Sequence, residues 1–183
     1  LIRLRGTLPA PVAIVAGNTL LMSSTLFLLA GMERFTGMRG RPWGNAAAFS
    51  LYVLALAYFT VVRDDIAART MAGSALIVFV DAQTCWLLFA RVPPAMRRFT
   101  FFPGLVMAGY VAASLAQIAI LAALPVDDPL LRSGLADSVA VTAYISLHIC
   151  LMISLALALT RRLMDEVLAQ EEKFAKAFHS SPY

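Results

Sequence analysis

Asp81 and His148 are the two residues of this sequence that offer acid–base chemistry from within long apolar stretches. Asn18, Gln83 and Gln117 are amides in similar surroundings. A charge at the middle of a bilayer costs about 2.5–3.5 kcal/mol on insertion scales, so an ionisable residue there is expected to serve a function. Asp81 needs a cation or a donor beside it, and His148 is its natural partner. Such a pair stays neutral or ionises together, a choice that proton sensing or ligand binding exploits. The structural alternative is that these side chains hold helices together, as interhelical hydrogen bonds worth ~0.6 kcal/mol on average do routinely. Asn18 and Gln117 fit that role best. His148 is also a candidate haem ligand, paired with Met152 or with the same residue of a second protomer. The other histidine, His179, lies beyond the last apolar stretch, so bis-histidine ligation within one chain is not expected. Cys150 stands two residues from His148 and Cys85 stands alone, which is not metal-ligand spacing. The sequence carries no phosphate loop, no nucleophile beside a base and no paired carboxylates, so no catalysis is expected of this segment.

The elements that must position these residues are legible from composition. Of 183 residues, 60% are hydrophobic and 14% charged, against roughly 45–50% and about 25% in an ordinary soluble domain. The excess falls into five blocks, predicted as helices over 10–31, 44–62, 70–90, 104–124 and 139–160. Each is long enough to cross ~30 Å of hydrocarbon at ~1.5 Å per residue. A backbone in lipid must satisfy its own hydrogen bonds, and the alternation of a barrel strand is missing. The expected fold is therefore an all-α polytopic bundle of five transmembrane helices, followed by a C-terminal helix over 161–183. Proline at 9 and 11 suits the start of the first helix, and Asp137-Ser138 is a candidate cap for the fifth.

On this register Asp81, His148, Asn18 and Gln117 lie at similar depth on four helices, which favours a shared interior cluster. Gln83, two residues beyond Asp81, points to another part of the surface. Ala108, Ala112 and Ala116 repeat every four residues beside Gly109 and Ala113, marking a close-approach face for a neighbouring helix or a second protomer.

Charges decide the orientation. Arg34, Arg39 and Arg41 share one end of the bundle with Arg91, Arg97, Arg98, Arg161 and Arg162. The other end holds Arg63, Arg69 and Arg132, with Asp127, Asp128 and Asp137. The positive-inside rule puts the richer end and the C-terminus in the cytoplasm. Basic residues gathered at helix ends give no reason to expect a nucleic-acid partner. After residue 160 the character changes. Leu159, Leu163, Val167, Gln170, Phe174 and Ala177 recur at three- and four-residue spacing, the pattern of one strand of a parallel coiled coil and so of a homodimer. A single amphipathic helix on the membrane surface is the alternative.

The last residues, Glu172-Lys173-Phe174-Ala175-Lys176-Ala177-Phe178-His179-Ser180-Ser181-Pro182-Tyr183, resemble the opening of a PAS domain of bacterial signalling proteins, with its short E-x-F-x-x-x-F helix and a polar-Pro step. Arg5-Gly6-Thr7-Leu8-Pro9, Gly17-Asn18, Gly31 and Phe35-Thr36-Gly37 resemble membrane regions that precede bacterial diguanylate cyclases and related PAS-containing receptors. The resemblance implies a sensory module in the bacterial inner membrane, acting through the exit helix on PAS and an output domain for cyclic-di-GMP turnover or a histidine kinase. It also implies that the chain is a fragment, with two further helices before Leu1. A small transporter or channel subunit, an accessory subunit of a membrane complex, and a haem-binding sensor are the competing readings.

Overall fold

The computed structural model describes residues 9–38, 40, 42–124 and 134–179. Within them the chain is all-helical, and five helices are long and apolar enough to cross a membrane. They are α1 (Ala10–Thr36), α2 (Pro42–Val61), α3 (Ile66–Trp86, continued by a π-helical turn, Leu87–Arg91), α4 (Pro94–Ala123) and α5 (Leu135–His179). Four expected ends differ by four residues or more. Helix α1 runs past Gly31 and stops at Gly37, whose left-handed φ of 72° ends the spiral. Its Arg34 and Glu33 carbonyls accept from the Gly37 and Met38 amides at 3.2 and 2.9 Å. Helix α3 begins four residues before Thr70, because the Asp65 carboxylate caps the Ala68 amide at 2.9 Å.

Helix α4 starts at Pro94 and passes straight through Pro103, which is buried inside it. Proline there costs the Phe99 carbonyl its usual donor, but burial holds the helix together across the gap. Helix α5 begins at Leu135, ahead of the expected cap. Ser138 lies within the first turn, and its amide donates to the Gly134 carbonyl at 2.9 Å. Arg3, Arg5, Arg39, Arg41, Asp127, Asp128, Arg132 and the Ser181-Pro182 step lie outside the described residues.

Helix α3 is the axis of the bundle, packing on α1, α2 and α4, while α5 packs on α4. Of the most apolar part of α3, 44% is buried, against no more than 17% in any other helix. Lipid tails are as apolar as leucine, so helices associate where small residues let backbones approach. The buried face of α3 follows that rule, with Gly73, Ser74, Val80, Asp81 and Thr84. A Cβ at Gly104 of α4 would stand 2.9 Å from the Phe89 ring, and one at Gly109 would stand 2.8 Å from a Leu147 methyl. These two glycines set the α3–α4 and α4–α5 spacing. The alanine stripe does not, since Ala112 and Ala116 face outward.

At the end of α3, the π-helical turn would assign the Leu88 carbonyl to residue 93, a proline without an N–H. The buried Thr100 hydroxyl donates to that carbonyl instead, at 3.2 Å. This bond joins the widened turn of α3 to the first turns of α4.

Candidate functional site

Ser74 and Asp81 are seven residues apart, two turns along one face of α3. Tyr110, Ser114 and Gln117 fall at i, i+4 and i+7 on α4, and Tyr144 comes from α5. The Gln117 side-chain oxygen accepts from the Ser74 hydroxyl at 3.0 Å and from the Tyr144 hydroxyl at 3.1 Å. Tyr144 and Ser114 oxygens lie 2.8 Å apart. A phenol has one proton. With Tyr144 donating to Gln117, the serine must donate to Tyr144, so the chain of bonds has a fixed direction from Ser114 through Tyr144 to Gln117. The Tyr110 ring stacks on Tyr144 with centroids 5.9 Å apart, and its hydroxyl donates to the Tyr144 carbonyl at 3.4 Å. One polar seam thus ties α3, α4 and α5 together.

Asp81 continues this seam along α3. It is 3% exposed. Among the described residues, no hydrogen bond or ion pair reaches its carboxylate. A buried carboxyl without a partner is costly, so Asp81 is the chemically loaded position of the bundle.

His148 is not brought to it. Leu147 meets α4 at Gly109 and Leu151 is buried. One residue turns a helix by about 100°, which carries His148 to the exposed side of α5. Met152 is exposed on that same side, 53% accessible. Two residues one turn apart approach a haem from the same face, so they do not serve as its two axial ligands within one chain. Among the described residues, no three His, Cys, Asp or Glu side chains gather at a metal-sized site.

The amides divide. Gln117 belongs to the seam. Gln83 leaves it and donates to the Asn45 side-chain oxygen at 2.9 Å, joining α3 to α2. Asn18 bonds its own helix at the Ile14 carbonyl, 2.9 Å away, and opens with Gly17 onto a recess along α1. Sequence reasoning missed Ser74, Tyr110, Ser114 and Tyr144. The i, i+4, i+7 spacing of Tyr110, Ser114 and Gln117 was the signal available.

A second polar cluster lies where α5 leaves the bundle. The Arg162 guanidinium donates to the Phe35 carbonyl of α1 at 2.8 Å, stands 4.9 Å from the Phe35 ring centroid, and pairs with Glu166 at 3.0 Å. Arg98 of α4 pairs with Asp165. The exit of α5 is therefore held by the end of α1 and the start of α4. Beyond it, Leu163, Val167 and Phe174 are 52%, 53% and 80% exposed, with no partner among the described residues. Comparison with known proteins gives no match to a family model, a curated protein or a solved structure.

Proposed function

We propose that this chain is the membrane-embedded input module of a bacterial signalling protein, relaying a stimulus through α5 to PAS and output domains as a homodimer with a cytoplasmic C-terminus. The observation that carries the reading is the length of α5. It is 45 residues without a break, about 68 Å at ~1.5 Å per residue, whereas a crossing needs about 20 residues. Its first part bonds to the polar seam through Tyr144, and its last part carries an apolar heptad stripe facing outward. A helix built for crossing alone has no use for that stripe. A parallel partner helix covers it in a coiled coil.

Two measurements test the proposal. Cysteines placed one at a time over residues 161–176 should crosslink in a heptad pattern, peaking at Leu163, Val167 and Phe174. A flat profile would sink the dimer seam. Inserting one residue after Arg162 turns everything downstream by about 100°, and in the protein with its downstream domains it should change output while leaving the amount in the membrane unaltered. An unchanged output would refute the relay. A second reading, a proton-conducting subunit, draws support from Asp81, a carboxyl 3% exposed in the middle of a membrane-length helix. It predicts proton flux into vesicles that Asp81→Asn abolishes.

A further inference from the structure

A crevice of about 280 Å³ lies between α1, α4 and α5 at the arginine-rich end of the bundle, open on one side and lined by Gly31, Phe35, Phe99, Pro103, Leu155 and Leu159 among others. Thr100 is the one polar residue of the lining, and its hydroxyl is already committed to the Leu88 carbonyl. The interior therefore offers a ligand no free donor. It accepts hydrocarbon. Its volume sits just below the roughly 300–1,000 Å³ of small-molecule sites, which suits part of a long chain better than a whole compact ligand. An empty apolar gap in a bilayer forfeits the dispersion contacts of every group lining it, and acyl chains are the material at hand to fill it.

The mouth has a charge to match. Arg34, Arg91, Arg97, Arg98, Arg161 and Arg162 gather at this end, against Glu33, Asp165 and Glu166 among the described residues. Asp165 and Glu166 are paired with Arg98 and Arg162, which leaves Arg34, Arg91, Arg97 and Arg161 against Glu33. Arg34 and Arg162 flank Phe35, which is itself part of the lining; Arg34 follows Gly31 by three residues and Arg162 follows Leu159 by three, each on the lining face of its helix. Arginine suits phosphate through its planar fork of donors. Hydrocarbon lining, lateral opening and a net positive rim describe one class of occupant.

We infer that the α1–α5 crevice is a binding site for an anionic phospholipid, one acyl chain lying against Gly31 and Phe35 and the phosphate meeting Arg34 and Arg162. The site stands independently of what α5 does downstream. It also places a lipid directly above the Arg162–Phe35 contact.

Gly31 provides the test. A Cβ there meets nothing within 4 Å, and Gly31 is part of the lining, so Gly31→Leu is expected to take up crevice volume with the helix content unchanged by circular dichroism. The chain is reconstituted in nanodiscs of equal phosphatidylglycerol and phosphatidylcholine, then released for native mass spectrometry. One phosphatidylglycerol should remain bound to the wild type, be lost in Gly31→Leu, and lose its advantage over phosphatidylcholine in Arg34→Gln. Equal retention of both lipids by the wild type, or unchanged retention in Gly31→Leu, would overturn the site. A readout without variants is electron spin resonance of chain-labelled phosphatidylglycerol with the wild-type protein. A motionally restricted component should appear, displaced by unlabelled phosphatidylglycerol and not by phosphatidylcholine. Its absence would refute the inference, as would efficient disulfide crosslinking of Gly31→Cys between copies, which would put a second chain in the crevice.

Discussion

Helices α3 and α5 both qualify as membrane spans, yet 44% of the apolar part of α3 is buried and 6% of that of α5. The difference is not in how apolar they are. Helix α3 presents Gly73, Ser74 and Thr84 to its neighbours, and three helices close around it. Helix α5 spends its small and polar contacts on one line facing α4 and turns Ile145, Ile149 and Ile153 outward. Apolarity decides that a helix enters the bilayer; the placement of small and hydroxyl side chains decides which helix the others wrap. On the proposed reading, in which α5 leaves the membrane near Arg162, the same apolar residues have the opposite meaning: Leu163 and Phe174 in water demand a partner, whereas Ile149 in lipid does not.

If α3 is the packed axis, its tight contacts should give the largest effects. Gly104→Leu forces a side chain into the Phe89 ring and should lower bundle stability by about 1–3 kcal/mol or more, measured by steric-trap unfolding in bicelles. Adding Phe89→Ala should recover part of the loss. Equal stability of Gly104→Leu and wild type would remove α3 from its central place. Asp81→Leu should stabilise the same bundle, by about 1–3 kcal/mol, because it replaces a buried polar group that lacks a partner. A net loss would mean that the carboxylate is bonded after all.

The seam joining α3 to α5 should matter less. Tyr144→Phe removes one hydroxyl shared by Gln117 and Ser114, for an expected loss of ~0.6 kcal/mol and at most ~1.7. A cycle with Gln117→Leu should show a similar coupling. Between Asp81→Asn and His148→Ala the coupling should vanish, with the two effects adding within about 0.3–0.5 kcal/mol. Strong coupling there would restore the pair that the geometry separates. Smallest of all should be the effect of Leu163→Ala or Phe174→Ala on the unfolding of the bundle. Both should instead weaken crosslinking between copies, which would place the two ends of α5 under different constraints.

Five helices were readable because a 20-residue apolar block has few alternative fates in a chain this short of charge. The ends were less readable. The expected start at 104 left Pro103 outside α4, since proline breaks an isolated helix, but tertiary burial overrides that local preference. The Asp81 face was half visible. Its membership in the interior followed from the cost of a charge in lipid, while its neighbours depended on rotation. An error of one residue in the phase of α5 exchanges Leu147 for His148, and apolar blocks carry little amphipathic signal to fix that phase. Tyrosines and serines were overlooked because each alone is ordinary in a membrane helix; only their alignment on α4 distinguishes them.

The hold on α5 at Arg162 and Asp165 has a mechanical consequence. It acts as a fulcrum placed roughly 41 Å from Leu135 and roughly 26 Å from His179, at ~1.5 Å per residue. A sideways displacement of the arm packed on α4 reaches the far tip reversed and reduced to about two thirds, by the ratio of those arms. A twist about the long axis, or a slide along it, crosses the same fulcrum undiminished. The lever therefore filters what it carries, damping tilt and passing torsion, and the heptad stripe beyond it is the part of the molecule whose register a torsion changes most.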